Sequence, residues 1–254
     1  MKISSGSGNW LKSGAAPLLG FLLFLAFWQV LSSFYSPVIL PPPRDVARAF
    51  FALVSSGQLA EHARYSVWRG LSGFGLAVAA GLPAGLLTGL SPAAAVLLRP
   101  AVVVLQVVPL ISWLLLAMIW LGFGRVPTFI VFVTTLPLII INTAAGVAAI
   151  DRQLVQMARV FKVPPARVLA QVYLPQVAPY VLAGMSAALG VTWKAVAMAE
   201  FMSVQKGIGS GMAVARINLD TASLFAWTVF LVVLGLCTDR ALACLVNTKL
   251  KHWM

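Results

Sequence analysis

Asp151-Arg-Gln-Leu-Val-Gln-Met-Ala-Arg-Val-Phe-Lys-Val-Pro-Pro-Ala-Arg-Val-Leu-Ala-Gln-Val-Tyr-Leu-Pro175 is a polar stretch set between two apolar walls, residues 126–150 before it and 176–199 after it. The first wall has no charged residue, and the second is broken only by Lys194. About 20 apolar residues suffice to cross a bilayer as a helix. The quoted stretch therefore turns the chain around at one membrane face. Leu154, Met157, Ala158 and Phe161 recur at helical spacing, with Arg152, Gln156 and Arg159 between them. A residue before proline avoids the helical region. Val163 precedes Pro164, so a first helix ends near Lys162. Pro164 and Pro165 suit the opening of a second helix. Val168, Leu169 and Val172 give it an apolar face, and Leu174-Pro175 closes it before the next span. The pattern predicts a helix-turn-helix with a small-residue surface at Ala158, where another backbone could approach. From pattern alone two readings stand: a handle for another protein, or a cap packed on its own bundle.

The rest of the chain repeats the theme of those walls. It is 61% hydrophobic and 9% charged, where soluble domains carry about a quarter charged residues. Six spans are expected, near residues 13–35, 70–91, 100–124, 126–150, 176–199 and 221–248, in one transmembrane domain covering 1–254. The fold class is all-α integral membrane, with the polar loop 151–175 between spans four and five. Lys2 and Lys12 precede the first apolar run, but Ser32-Ser33-Phe34 is a weak cleavage site, so that run is read as a retained helix. Cys237 and Cys244 lie about 10 Å apart along one helix, too far for a disulfide, and are read as small core residues.

With six spans both termini share a side. That side holds ten cations, among them Arg152, Arg159, Lys162 and Arg167, against seven on the other, among them Arg44, Arg69, Arg125 and Lys206. The bias predicts cytoplasmic termini. The net charge of +12 is read as topology signals and lipid headgroup contacts, not nucleic-acid binding. After Pro41-Pro42-Pro43, the residues Val46, Phe50, Phe51 and Val54 predict an amphipathic helix, lying at the interface or packed on the bundle.

The loop resembles that of the permease subunits of ATP-binding-cassette importers, which reads Glu-Ala-Ala, three residues, Gly, nine residues, Ile-x-Leu-Pro. Here Gln156, Met157 and Ala158 take the first places, Lys162 the Gly place, and Val172 and Leu174-Pro175 the last. The departures are Gln for Glu, Met for Ala and Lys for Gly. Further pieces resemble the nitrate, sulfonate and taurine branch: Leu40-Pro41-Pro42-Pro43, Ser66-Val67-Trp68-Arg69, Gly73-Phe74, Val108-Pro109, Trp120-Leu121-Gly122-Phe123-Gly124, Ala199-Glu200, Gly207-Ile208-Gly209 and Leu234-Gly235. They cover nearly the whole chain, Val38 to Trp253. The resemblance implies a type I importer permease fold in a bacterial plasma (inner) membrane and a pairing of identical chains. It also implies two separate ATPase subunits on the loop and an extracytoplasmic binding protein that delivers a small solute, an anion in this branch. ATPase coupling falls to Gln156, Met157, Ala158, Phe161, Lys162, Leu174 and Pro175. ATP and Mg would sit on the partner ATPase, because this sequence has no Gly-x-x-x-x-Gly-Lys-Ser/Thr loop. Gly207-Ile208-Gly209-Ser210-Gly211 lacks the lysine and is read as a turn.

Charged groups inside spans are costly and usually functional. Lys194 and Glu200, with the neutral Gln106 and Ser112, are the tentative pathway residues. Lys194 attracts an anion or snorkels to the interface; Glu200 shapes an outer gate or holds the following loop. Trp113, Trp120, Trp193 and Trp227 are read as packing or interface anchors, and His62 and His252 as surface groups. No nucleophile with a base, paired carboxylates or metal spacing is found, so catalysis by this chain is not expected. A secondary transporter would need acidic residues near the midplane, which the spans lack. A non-transporting assembly subunit remains open on pattern alone.

Overall fold

Pro109 breaks what the sequence reads as a single third span. Val108 is extended (φ −64°, ψ 125°), as a residue before proline tends to be. The chain turns by 99° there, between α4 (Pro92–Val107) and α5 (Leu110–Leu121). The computed structural model describes residues 15–250. Lys2, Lys12, Lys251, His252 and Trp253 lie outside them, so the readings that rest on those residues stop there.

The remaining helices are α1 (Ala15–Ser32), α2 (Pro43–Ser55), α3 (Gln58–Leu90), α6 (Val126–Ala148), α7 (Arg152–Val160), α8 (Pro165–Val168), α9 (Leu174–Ser203), α10 (Ile208–Ile217) and α11 (Thr221–Leu250). Among the described residues there is no strand. Four helical stretches are long and apolar enough to cross a membrane, and the bent α4–α5 pair makes a fifth. The 18 residues of α1 carry no charge, with Gln29 and Ser32 the polar ones near its end, and the helix is about 27 Å long. This is the expected all-α membrane architecture, with two corrections to its spans. The third is broken, and the second extends outward to Gln58 as part of one 33-residue helix.

α6 is central. It runs parallel to α3 on one side and antiparallel to α9 on the other, and twelve of its residues are buried. The contact with α3 is set by small residues every fourth position: Gly73, Ala77, Gly81 and Gly85 are all buried. Residues four apart share a helix face, and small ones there let backbones approach closely. A Cβ on Gly73 would lie 2.5 Å from the Thr128 carbonyl oxygen, and one on Gly81 2.8 Å from Ile139 Cβ. Leu114 and Ala117 of α5, Val126, Ile130 and Val131 of α6, and Ala195, Val196 and Ala199 of α9 form one buried cluster.

A second cluster caps the end of the bundle that carries α2 and α10. Val46 and Leu53 of α2 pack with Ile208 and Ala215 of α10 and Ala226 and Trp227 of α11. The amphipathic helix is thus packed on the bundle by one face, while Phe51 and Val54 stay exposed. Cys237 and Cys244 are exposed on α11, not core residues: with α11 at the edge of the bundle, most of its faces are left to lipid.

Candidate functional site

The loop 151–175 is built as a braced elbow. The Asp151 carboxylate accepts the Gln153 amide at 2.8 Å, capping the N-terminus of α7. The Asp151 amide in turn donates to Gln176 Oε1 at 2.8 Å, tying the start of α7 to the start of α9. At the other end Lys162 takes φ 51°. Its amide donates to Arg159 O at 3.1 Å and the Val163 amide to Ala158 O at 2.9 Å, which is the Schellman closure. The lysine therefore adopts the left-handed turn that a glycine would take at less steric cost.

The second helix does not close at Leu174-Pro175, as the sequence suggests. Residues Pro165–Ser203 form one continuous helical run, with a π turn over Leu169–Tyr173. Proline has no N–H to donate and crowds the carbonyl four residues back. At Pro175 the widened turn absorbs this, and the Leu174 amide donates to Leu169 O. The elbow is thus rigidly continuous with a membrane span.

The exposed surface of α7 carries an apolar strip. Phe161 is 74% exposed and Met157 54%, and Leu154 and Val160 are exposed beside them. Val160, 77% exposed, joins this strip although the sequence pattern did not include it. Ala158 is only 8% exposed. The expected small-residue surface is corrected: Ala158 faces inward, and its carbonyl closes the turn. Gln156 and Lys162 are exposed. Gln156 lines a small cleft with Arg152, Arg159 and Tyr173. Leu174 is exposed and Pro175 half-buried at the root of α9.

The four tentative pathway residues separate. Gln106 lines a crevice of about 440 Å³ at the α4–α5 break, together with Thr134, Trp113 and Val191. Lys194 is one turn beyond Val191, exposed on the face of α9 that also carries Ala183, Ala187, Gly190 and Met198. Among the described residues it has no ion-pair partner. Ser112 is half-buried in the first turn of α5.

Glu200 is elsewhere: fully enclosed at 0% exposure. Its carboxylate accepts from Ser66 Oγ at 2.6 Å, Arg69 Nη1 at 2.8 Å and the Gly209 amide at 3.2 Å. Ser66 Oγ accepts the Ile208 amide at 2.8 Å, and Arg69 also donates to Lys206 O. This holds residues 204–209 against α3. Of the two readings of Glu200, this geometry supports the one in which it holds the following loop, and the cost of burying the carboxylate is offset by this pairing.

The glycine run explains the fit. Gly207 sits at φ 137°, and a Cβ there would be 2.2 Å from the Glu200 carboxyl carbon. The run opens α10 instead of making a simple turn. His62 is half-buried, not a surface group, with Nδ1 in contact with the Gly207 backbone. Lys206, outside the helices, hydrogen-bonds Glu61 at 2.8 Å, and that carboxylate holds the ammonium above its ordinary pKa. The sequence marked the parts of this clamp, Ser66 to Arg69, Glu200 and Gly207 to Gly209, but no periodicity pairs residues 131 to 142 positions apart. Trp193 and Trp227 are buried, while Trp120 is exposed. Among the described residues no group of His, Cys, Asp and Glu could hold a metal ion.

The described residues form a multi-pass helical bundle with a braced, outward-greasy elbow between two of its spans. The chain belongs to the family described as the binding-protein-dependent transport system inner membrane component, whose model matches residues 81–249. It is 33% identical over 237 residues to the protein named "Probable ABC transporter permease protein" in Brucella melitensis, covering 93% of this chain and 96% of that protein. It is 36% identical over 218 residues to the permease protein SsuC of Escherichia coli, named for aliphatic sulfonates transport (85% and 83% covered). It is 29% identical over 264 residues to the bicarbonate transport system permease protein CmpB of Synechococcus elongatus (98% and 95%). The chain is therefore the permease subunit of an ABC importer, a multi-pass membrane protein, not an enzyme. Its partners are an ATPase and a substrate-binding protein. The ion-gradient and assembly-subunit readings are not favoured.

Proposed function

We propose that two copies of this chain enclose the path for a small anion across a bacterial inner membrane, with termini and elbow in the cytoplasm. The sulfonate and bicarbonate relatives support an anionic solute, as does Lys194 beside the crevice lined by Gln106. Two ATPase subunits grip the α7 elbows; ATP and Mg sit on those subunits, since this sequence carries no phosphate-cradling loop. The binding protein docks at the α2/α10 end. The observation that carries the reading is the exposed strip of Leu154, Met157, Val160 and Phe161 on a helix capped at both ends. Such a patch marks a protein contact, and a braced helix passes a displacement to α9 instead of absorbing it. Gln156, Met157 and Phe161 make the grip; Ala158, Lys162, Leu174 and Pro175 hold its shape.

The test is reconstitution with the ATPase and binding protein. Uptake is expected to need ATP and both partners. Met157→Asp or Phe161→Asp should release the ATPase on purification while membrane insertion is unchanged. Retention of the ATPase by both variants, or uptake by this chain alone under an ion gradient, would reject the reading.

A further inference from the structure

A second crevice, of about 920 Å³, opens along α3 and α6. Its lining changes character along its length. At the mouth stand Arg69, Arg125, Ser72 and Thr128; below them stand Leu76, Ala80, Phe129 and Phe132. The level of Thr128 is fixed by its carbonyl facing Gly73, so Arg125, just before α6, stands near the height of Arg69. Trp68 of this lining and Trp120, the neighbour of lining residue Leu121, are exposed, at 75% and 60%. Exposed tryptophans gather at the headgroup level of a bilayer. The mouth therefore lies at the membrane surface and the apolar floor lies within it.

The dimensions agree. From Arg69 to Ala80 the helix descends about 17 Å, roughly half of a 30 Å hydrocarbon core, which is one leaflet. Arg125 is exposed and, among the described residues, has no ion-pair partner. Arg69 spends its hydrogen bonds from one terminal nitrogen, leaving other donors of the guanidinium fork. We infer that this crevice is a site for one anionic phospholipid, its phosphate between Arg125 and Arg69 and an acyl chain along Leu76, Ala80 and Phe132. A soluble anion would gain nothing from the apolar floor. The inference needs only that the chain spans a membrane, and stands apart from the choice of solute.

The experiment is native mass spectrometry of the purified full-length permease, released from micelles with phosphatidylglycerol or zwitterionic phosphatidylcholine. Wild type should retain phosphatidylglycerol in preference. Arg125→Gln should lower that preference about fivefold, the effect of one cation at a membrane surface, and Arg125→Lys should restore much of it. Ala80→Trp should expel lipid with both arginines intact. Equal retention of the two lipids by wild type would overturn the proposal. So would full competition by glycerol phosphate, which marks a soluble-anion site, or loss of the dimer mass in Ala80→Trp with lipid retained, which marks a protein interface.

Discussion

Gly85→Ala and Gly75→Ala are the same chemical change on one helix, and the packing of α3 gives them opposite signs. At Gly85 the new Cβ would lie 2.5 Å from Thr143 Cβ and 2.8 Å from the Ile140 carbonyl oxygen. Optimal contact is about 3.5–4 Å, so α3 must withdraw from α6 by about 1 Å. Neither obstacle can rotate away, since a Cβ and a backbone oxygen move only with their helix. Overpacking of this kind costs about 1–3 kcal/mol, against a gain of about 0.5–1 kcal/mol for alanine over glycine in a helix. At Gly75 nothing lies within 4 Å, so only the gain remains. The two variants should differ by about 2 kcal/mol. Reversible unfolding in mixed micelles with rising dodecyl sulfate, followed by tryptophan fluorescence, reads the difference, with Gly75→Ala above wild type and Gly85→Ala below. If Gly85→Ala unfolds at or beyond wild type, the α3–α6 contact is not set by close backbone approach.

Three further outcomes are expected. Arg69→Met leaves the enclosed Glu200 carboxylate without its cation and should cost about 3–5 kcal/mol; adding Glu200→Gln should recover most of that in the same unfolding assay, and no recovery would remove charge from the account. Lys162→Gly should keep or raise elbow stability and ATPase co-purification, because the left-handed turn costs a side chain about 1–2 kcal/mol, whereas Lys162→Val should lower both; equal behaviour would mean the turn is not kept in the complex. Lys194→Ala should reduce uptake of an anionic solute about fivefold, the effect of one exposed contact of about 1 kcal/mol, at unchanged protein level. Unchanged uptake would place Lys194 outside the path.

How much of this was legible depends on range. Periodicity and proline placement are local, so the helices, the elbow and its turn at Lys162 could be read along the chain, and the elbow's spacing carried the family resemblance. The same locality misled where two local signals compete. Leu174-Pro175 reads as a stop, yet a π turn lets the helix run through it. Pro109 within an apolar run reads as tolerable, yet it turns the chain by 99°.

By itself the sequence determined that lipid is the solvent, that the chain crosses it many times, and that one polar elbow joins two spans, because burying or exposing 20 apolar residues is settled by composition. Only the tertiary structure decided which face of each helix is used. It turned Ala158 inward and Phe161 outward, enclosed Glu200 against Arg69 and Ser66, and left Lys194 and Arg125 open. The reason is physical: in lipid nearly every face of an apolar helix is acceptable, so periodicity carries little facing information, and the choice falls to close contacts between residues far apart in the chain.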